Sequence, residues 1–156
     1  VATFVAGTMA SAHFWIGTAA HKIFAASPIC EVGSVGVMMS YMGMKKYFKD
    51  MGIDKRDIYP DTADLKNFEY RQLEEKGDDK PLKEKLARLH QYFSDTVAKN
   101  LGIKYDADDP LFRGAMFQAD EAIEKGYVDC YGSVSDAVLW VLAQSEAKRA
   151  AGLLNI

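Results

Sequence analysis

The chain has 156 residues, 49% hydrophobic and 26% charged, with a formal net charge of -3. The length is that of one ordinary domain and the composition that of a globular protein with a sizeable core. The slightly acidic balance excludes a general nucleic-acid binder, because the basic residues alternate with acids (Lys49 beside Asp50, Glu84 between Lys83 and Lys85) and form no stripe. Cys30 and Cys130 lie far apart with no CxxC or neighbouring His pair, so they read as two buried free thiols, with a single disulfide between them the open alternative, and no metal or cofactor is expected.

Val1 to Ala10 is apolar, and Ala10-Ser11-Ala12 has the small residues of a signal-peptidase site. The stretch lacks a positive n-region and its apolar character continues beyond the supposed cut, so it reads as a core strand feeding a core helix. A chain that opens this way, without Met, is expected to be a fragment or a processed product. Ala2 to Val5 suits a buried strand. Gly7 and Thr8 break it, and the small residues of Ala10 to Ala20, with Phe14 and Trp15, suit a helix lying close to a sheet. Ile23-Phe24-Ala25 is a short strand and Ser27-Pro28 a turn. Gly33 to Tyr41 is predicted as a strand buried on both faces.

From Gly43 to Gly52, Met44, Tyr47, Phe48 and Met51 recur at helical spacing. Asp57-Ile58-Tyr59 reads as a strand closed by Pro60. Asp61 to Lys80 is a polar surface loop with some helix. A long helix runs from Pro81 to about Asn100, with Leu82, Leu86, Leu89, Phe93 and Val97 as its apolar stripe. Leu111 to Phe117 suggests a strand, Gln118 to Lys125 a helix, and Tyr127 to Asp129 another strand. Ser133 or Ser135 caps a last helix whose Val134, Ala137, Val138, Trp140 and Val141 pack inward. The strand and helix order points to an α/β fold with largely parallel pairing.

Candidate chemistry centres on Ser11. A serine hydroxyl is a weak nucleophile that needs a base and donors for the oxyanion. At a helix start, the Ala12 N–H is free of intrahelical partners and can serve as one donor. The spacing alone is equally that of a helix N-cap, and it is not the Gly-x-Ser-x-Gly elbow. His13 faces away from Ser11, and His21 and His90 have no evident acid partner, so no Ser-His-Asp triad is read.

Taken in order, Met9-Ala10-Ser11-Ala12, Phe14-Trp15-Ile16, Ala19-Ala20, Ile23-Phe24-Ala25 and Gly33-Ser34-Val35-Gly36-Val37 resemble the signal peptide peptidase A family of serine peptidases, which includes phage prohead-protease-like members. Phe112-Arg113-Gly114, Ala119-Asp120-Glu121-Ala122 and Gly126-Tyr127-Val128-Asp129 with Gly132 resemble the family's C-terminal signature, so the likeness covers nearly the whole chain. It implies an α/β ClpP/crotonase-like fold of repeated β-β-α units without its N-terminal part, spanning 1–150 as a single domain with 151–156 as a tail.

The resemblance further implies a Ser-Lys dyad. Ser11 matches the nucleophile and Ser34 a serine that orients the lysine amine. Ala12 and Gly33 fall in the oxyanion and substrate-binding region. Lys66 is the candidate base. Lys55 lies too early and Lys76 too late. Asp64 would favour a charged lysine, so a base at Lys66 requires a desolvated amine with a lowered pKa. The chain departs from the family pattern in Ala12-His13, where a Gly pair is usual, and in Pro60-Asp61, where a Ser-Gly pair is usual. It also starts ten residues before Ser11, without the family's upstream oxyanion glycine segment, so by itself it is expected to be a poor enzyme.

The implied activity is an endopeptidase acting on extended peptides or unfolded proteins, either signal and leader peptides or phage capsid and scaffold proteins, in a homo-oligomer. Membrane-associated and cytoplasmic settings both fit. The alternative is a non-catalytic assembly protein of the same fold. An acyl-CoA enzyme of the crotonase type lacks a suitably placed Glu.

Overall fold

The computed structural model describes residues 1–152, and the end of the tail expected at 151–156 lies outside them. The chain forms mixed α/β structure in two compact units, one of residues 1–37 with the chain from His90 onward, the other Met38–Leu89.

The first unit holds β1 (Thr3–Val5), β2 (Thr8–Ala10), α1 (Ala12–Gly17), β3 (Ile23–Ala25) and β4 (Glu31–Gly33). The chain from His90 adds the second half of α4 (Lys80–Leu101), then β5 (Met116–Gln118), α5 (Ala119–Glu124), β6 (Cys130–Tyr131) and α6 (Val134–Ala150). One sheet runs β1-β3-β6, all parallel; the other runs β2-β4-β5, with β2 and β4 parallel and β5 antiparallel to β4. Parallel neighbours need a crossover, and α1 lies in the one that serves both β1–β3 and β2–β4.

Thr3 pairs with Ile23 and Thr8 with Glu31, so the second strand pair carries three extra residues on one side. The turn at Ser27-Pro28 absorbs them, closed by Cys30 N–H donating to the Ser27 carbonyl at 3.1 Å. Short apolar strands buried on both faces are what parallel pairing selects, and β3 is buried along its whole length. Phe14, Val32, Val35, Phe93, Val97, Leu111, Phe112 and Val128 form the centre of the core. Trp15 stacks on Phe93 with ring centroids 4.4 Å apart.

The second unit contains α2 (Lys45–Asp50), a 3-10 turn (Asp61–Ala63), α3 (Phe68–Lys76) and the start of α4. It is held by polar and mixed contacts. Lys85 pairs with Glu69 at 3.4 Å, the Tyr70 hydroxyl donates to the Met39 sulfur at 3.0 Å, and the Arg71 guanidinium lies over the Tyr59 ring.

Several predicted elements are corrected. Thr8 does not break the first strand for good, because pairing resumes at once as β2. The strand predicted over Gly33 to Tyr41 ends at Gly33, since Ser34 turns to positive φ; Val35 is nevertheless fully buried and Met38 is exposed. Asp57 to Tyr59 forms no strand, and Ile58 is exposed. Pro110–Arg113 is a 3-10 turn ahead of β5, and the strand expected at Tyr127 to Asp129 is β6, a few residues later. Ser133, not Ser135, caps α6. Of the residues expected to pack inward there, only Ala137 is buried, while Val134 and Val138 are more than half exposed.

Candidate active site

Ser11 occupies the junction where β2 ends and α1 begins. Its backbone has φ 55° and ψ -125°, and its side chain makes no capping hydrogen bond. An N-cap serine has extended backbone and accepts from an amide of the first turn, so Ser11 is not acting as one. Positive φ at a non-glycine residue is uncommon and is kept only where the surroundings over-determine it, at a cost of about 1–3 kcal/mol.

The surroundings of Ser11 do this. Its N–H donates to the Gly33 carbonyl at 2.9 Å and its carbonyl accepts from Trp15 N–H at 2.9 Å. On either side of it, Met9 and Phe14 are buried in the core. The result is a sharp strand-to-helix turn with an exposed serine, the geometry that presents a nucleophile, reached without the Gly-x-Ser-x-Gly sequence. The Ala12 N–H has no hydrogen-bond partner among the described residues. A groove of about 450 Å³ in this unit is lined in part by Thr8, Met9, His13 and Ile16, and Ser11 is not among its lining residues.

The β2–β4 register pairs Ala10 with Gly33, so Ser11 and Ser34 are the first residues after two neighbouring strands. Ser34 also has φ 55° and is half-buried. Gly33 has φ 125°, and a Cβ there would lie 2.5 Å from the Ala115 carbonyl oxygen. That oxygen accepts from Ser34 N–H at 2.8 Å. Ser11, Ala12, Gly33 and Ser34 are thus brought together in the first unit.

Lys66 belongs to the second unit, exposed between the 3-10 turn and α3, its N–H donating to the Ala63 carbonyl at 3.0 Å. Its ammonium makes no ion pair among the described residues. Lys55 differs: Asp57, bonded to it at 3.3 Å, raises its pKa and holds it charged, the wrong direction for a base. A cleft of about 890 Å³ within this unit is lined by Lys55, Tyr59, Asn67 and Arg71 among others, and Lys66 is not among them.

His13 is exposed on the first turn of α1, and His90 Nδ1 is buried without a partner among the described residues. Cys30 and Cys130 are free thiols, the first buried and the second half-buried. Among the described residues no three His, Cys, Asp or Glu side chains are grouped to hold a metal ion, and no helix is long and apolar enough to cross a membrane.

The sequence model of peptidase family S49 matches residues 1–148. The chain belongs to peptidase family S49. Similar sequence occurs in a putative signal peptide peptidase SppA of Enterococcus faecium, 27% identical over 133 residues, which are 84% of this chain and 38% of that protein. The head-tail preconnector protein GP5 of Enterobacteria phage P21 is 28% identical over 110 residues, 69% of this chain and 21% of that protein. A protein of Brucella abortus (strain 2308) named Na(+)/H(+) antiporter NhaA is 28% identical over 134 residues, 86% of this chain and 18% of that protein. The S49 chain therefore spans less than two-fifths of the length of each of these relatives.

One contributor that sequence reasoning missed is Ala115. Phe112-Arg113-Gly114 was legible as part of the family signature, but no residue type marks a backbone carbonyl as the group that meets Gly33 and Ser34. The indirect signal is Gly33 itself, a glycine in a strand, which often marks close approach of another backbone.

Proposed function

We propose that the protein is a serine endopeptidase with a Ser-Lys dyad. Ser11 is the nucleophile, Lys66 the general base, Ser34 the residue that orients the lysine amine, and the Ala12 N–H a donor to the oxyanion, with Gly33 beside it. The observation that carries the reading is the strained, exposed conformation of Ser11, whose hydroxyl caps no helix. Membership of a peptidase family supports it.

The neutral Lys66 amine takes the proton from the Ser11 hydroxyl as its oxygen attacks the scissile carbonyl carbon. The tetrahedral oxyanion is held by backbone N–H groups. Collapse breaks the C–N bond, and the lysine ammonium returns the proton to the leaving amine. Water, deprotonated by the same amine, then hydrolyses the acyl ester. The substrate is an extended peptide or unfolded protein, which can add to a strand edge through its backbone. Signal or leader peptides and phage capsid or scaffold proteins are the two substrate classes, the first in keeping with the name of the Enterococcus relative. Residues 1–150 are read as one ClpP/crotonase-like domain that works as a homo-oligomer.

A fluorophosphonate probe on the full-length protein tests this. Labelling is expected in the wild type and lost in both Ser11→Ala and Lys66→Ala. Labelling unchanged in Lys66→Ala removes Lys66 as the base. A wild type that does not label points instead to a non-catalytic assembly protein of the same fold.

A further inference from the structure

The peptide unit joining Gly33 to Ser34 is gripped from both sides. Its carbonyl accepts from Ser11 N–H at 2.9 Å, and its N–H donates to the Ala115 carbonyl at 2.8 Å. A trans peptide is planar and points these two groups in opposite directions, so any rotation of the plane disturbs both bonds together. Ser34 at φ 55° stays strained only while something holds it, and the Ala115 carbonyl is the one backbone acceptor of its N–H among the described residues.

Ala115 is in turn fixed by the loop before it. Its N–H donates to the Pro110 carbonyl at 2.9 Å. Asp109 caps the 3-10 turn by accepting from Leu111 N–H at 2.8 Å, and the buried Tyr127 hydroxyl donates to the Asp109 carboxylate at 3.3 Å. Gly114 supplies the left-handed step, φ 88°, that turns the chain from the 3-10 turn into Ala115. Leu111 and Phe112 are sunk in the core, so the loop is a rigid support.

We infer that Ala115 is a positioning residue for the serine pair, acting through the Gly33–Ser34 peptide, with Asp109, Gly114 and Tyr127 as its supports. This rests on the Ser11 peptidase reading. The Ala115 carbonyl sets the plane of that peptide, and the plane sets both the hydroxyl of Ser34 and the amide of Ser11. Released from Ala115, Ser34 relaxes toward negative φ, and the Gly33 carbonyl turns away from the nucleophile.

The test uses Gly114, where an added Cβ meets nothing within 4 Å, so backbone preference and not a Cβ clash separates the substitutions there. Asn tolerates the left-handed region and a β-branched residue does not. Fluorophosphonate labelling rates of the full-length protein are measured per folded molecule across pH, for wild type, Ser11→Ala, Gly114→Asn, Gly114→Val and Tyr127→Phe. Gly114→Val is expected to label on the order of 10- to 100-fold more slowly with a displaced pH profile, the size expected for misplacement by about 1 Å. Gly114→Asn restores the wild-type rate and profile. Tyr127→Phe, which keeps the ring in the core, is slowed severalfold and carries the test if Gly114→Val does not fold. Wild-type rates per folded molecule in both Gly114→Val and Tyr127→Phe, with Ser11→Ala silent, overturn the positioning role and leave the peptidase reading intact. Labelling that survives Ser11→Ala overturns both.

Discussion

Ser11, one residue beyond the last paired position of β2, donates its amide N–H at 2.9 Å to the carbonyl of Gly33, the last paired residue of β4. This bond joins two segments that both leave their strands at φ 55°, at Ser11 and at Ser34. Gly33 can stand between them only because it has no side chain. A methyl group there meets the Ala115 carbonyl oxygen at 2.5 Å, and φ 125° is strained for any L residue. Gly33→Ala is therefore expected to destabilise the first unit by about 1–3 kcal/mol from backbone strain alone, and by more with the clash. Urea denaturation measures the loss. A variant as stable as wild type would show that the close approach is not real.

The core predicts a sharp contrast along one helix. Phe93 is 2% exposed and stacks on Trp15, whereas Leu89, one turn earlier in the same sequence stripe, is 46% exposed. Phe93→Ala should cost about 3–5 kcal/mol, the usual range for removing a buried aromatic ring. Leu89→Ala should stay within about 0.5 kcal/mol, as surface changes do. Similar losses in the two variants, read from thermal or urea unfolding, would contradict the assigned face of α4.

The same residues show what was legible in the sequence and what was not. β3 at Ile23–Ala25 and α4 at Lys80–Leu101 follow from strong local patterns, a compact apolar run and a helical stripe. Ile58 has strand propensity but no partner strand, and propensity without a partner forms nothing. Val35 is buried yet outside any strand, because the turn at Ser34 ends the ladder while the core still claims its side chain. Ser11 reads locally as a cap. Its left-handed conformation is imposed from a distance, by the Gly33 carbonyl and by burial of Met9 and Phe14, and no short-range pattern encodes that.

The start of α6 should respond to acid. Ser133 and Asp136 form a reciprocal capping box, with the Asp136 carboxylate accepting from the Ser133 hydroxyl and amide, both at 2.7 Å. These bonds favour the ionised form and lower the Asp136 pKa. A carboxylate with a depressed folded-state pKa contributes stability above its unfolded pKa and loses that contribution as pH falls through the folded one. Asp136→Asn should therefore lower stability at neutral pH and converge with wild type in strong acid. Ser133→Ala should weaken the same acid dependence. Unfolding midpoints measured from pH 2 to 7 distinguish this from a cap without influence, for which the curves stay parallel.

Tyr127 sets the opposite limb. Burial first, and the nearby Asp109 carboxylate second, push its phenol up to about 12. Its hydroxyl donates to both Asp109 oxygens at 3.3 Å, a contact that requires the proton to stay in place. A group whose folded pKa is raised contributes fully below its unfolded value and loses the contribution as pH rises through the folded one. The stabilising effect of the protonated phenol is thus complete below about pH 10, the ordinary tyrosine value, and disappears as pH approaches about 12. Tyr127→Phe should cost about 0.5–1.5 kcal/mol at neutral pH, the usual net worth of a hydrogen bond, and should flatten the decline in stability above pH 10. Absorbance titration of tyrosinate, wild type minus Tyr127→Phe, reads the group directly. A difference curve centred near pH 10 would show that neither burial nor Asp109 acts on it.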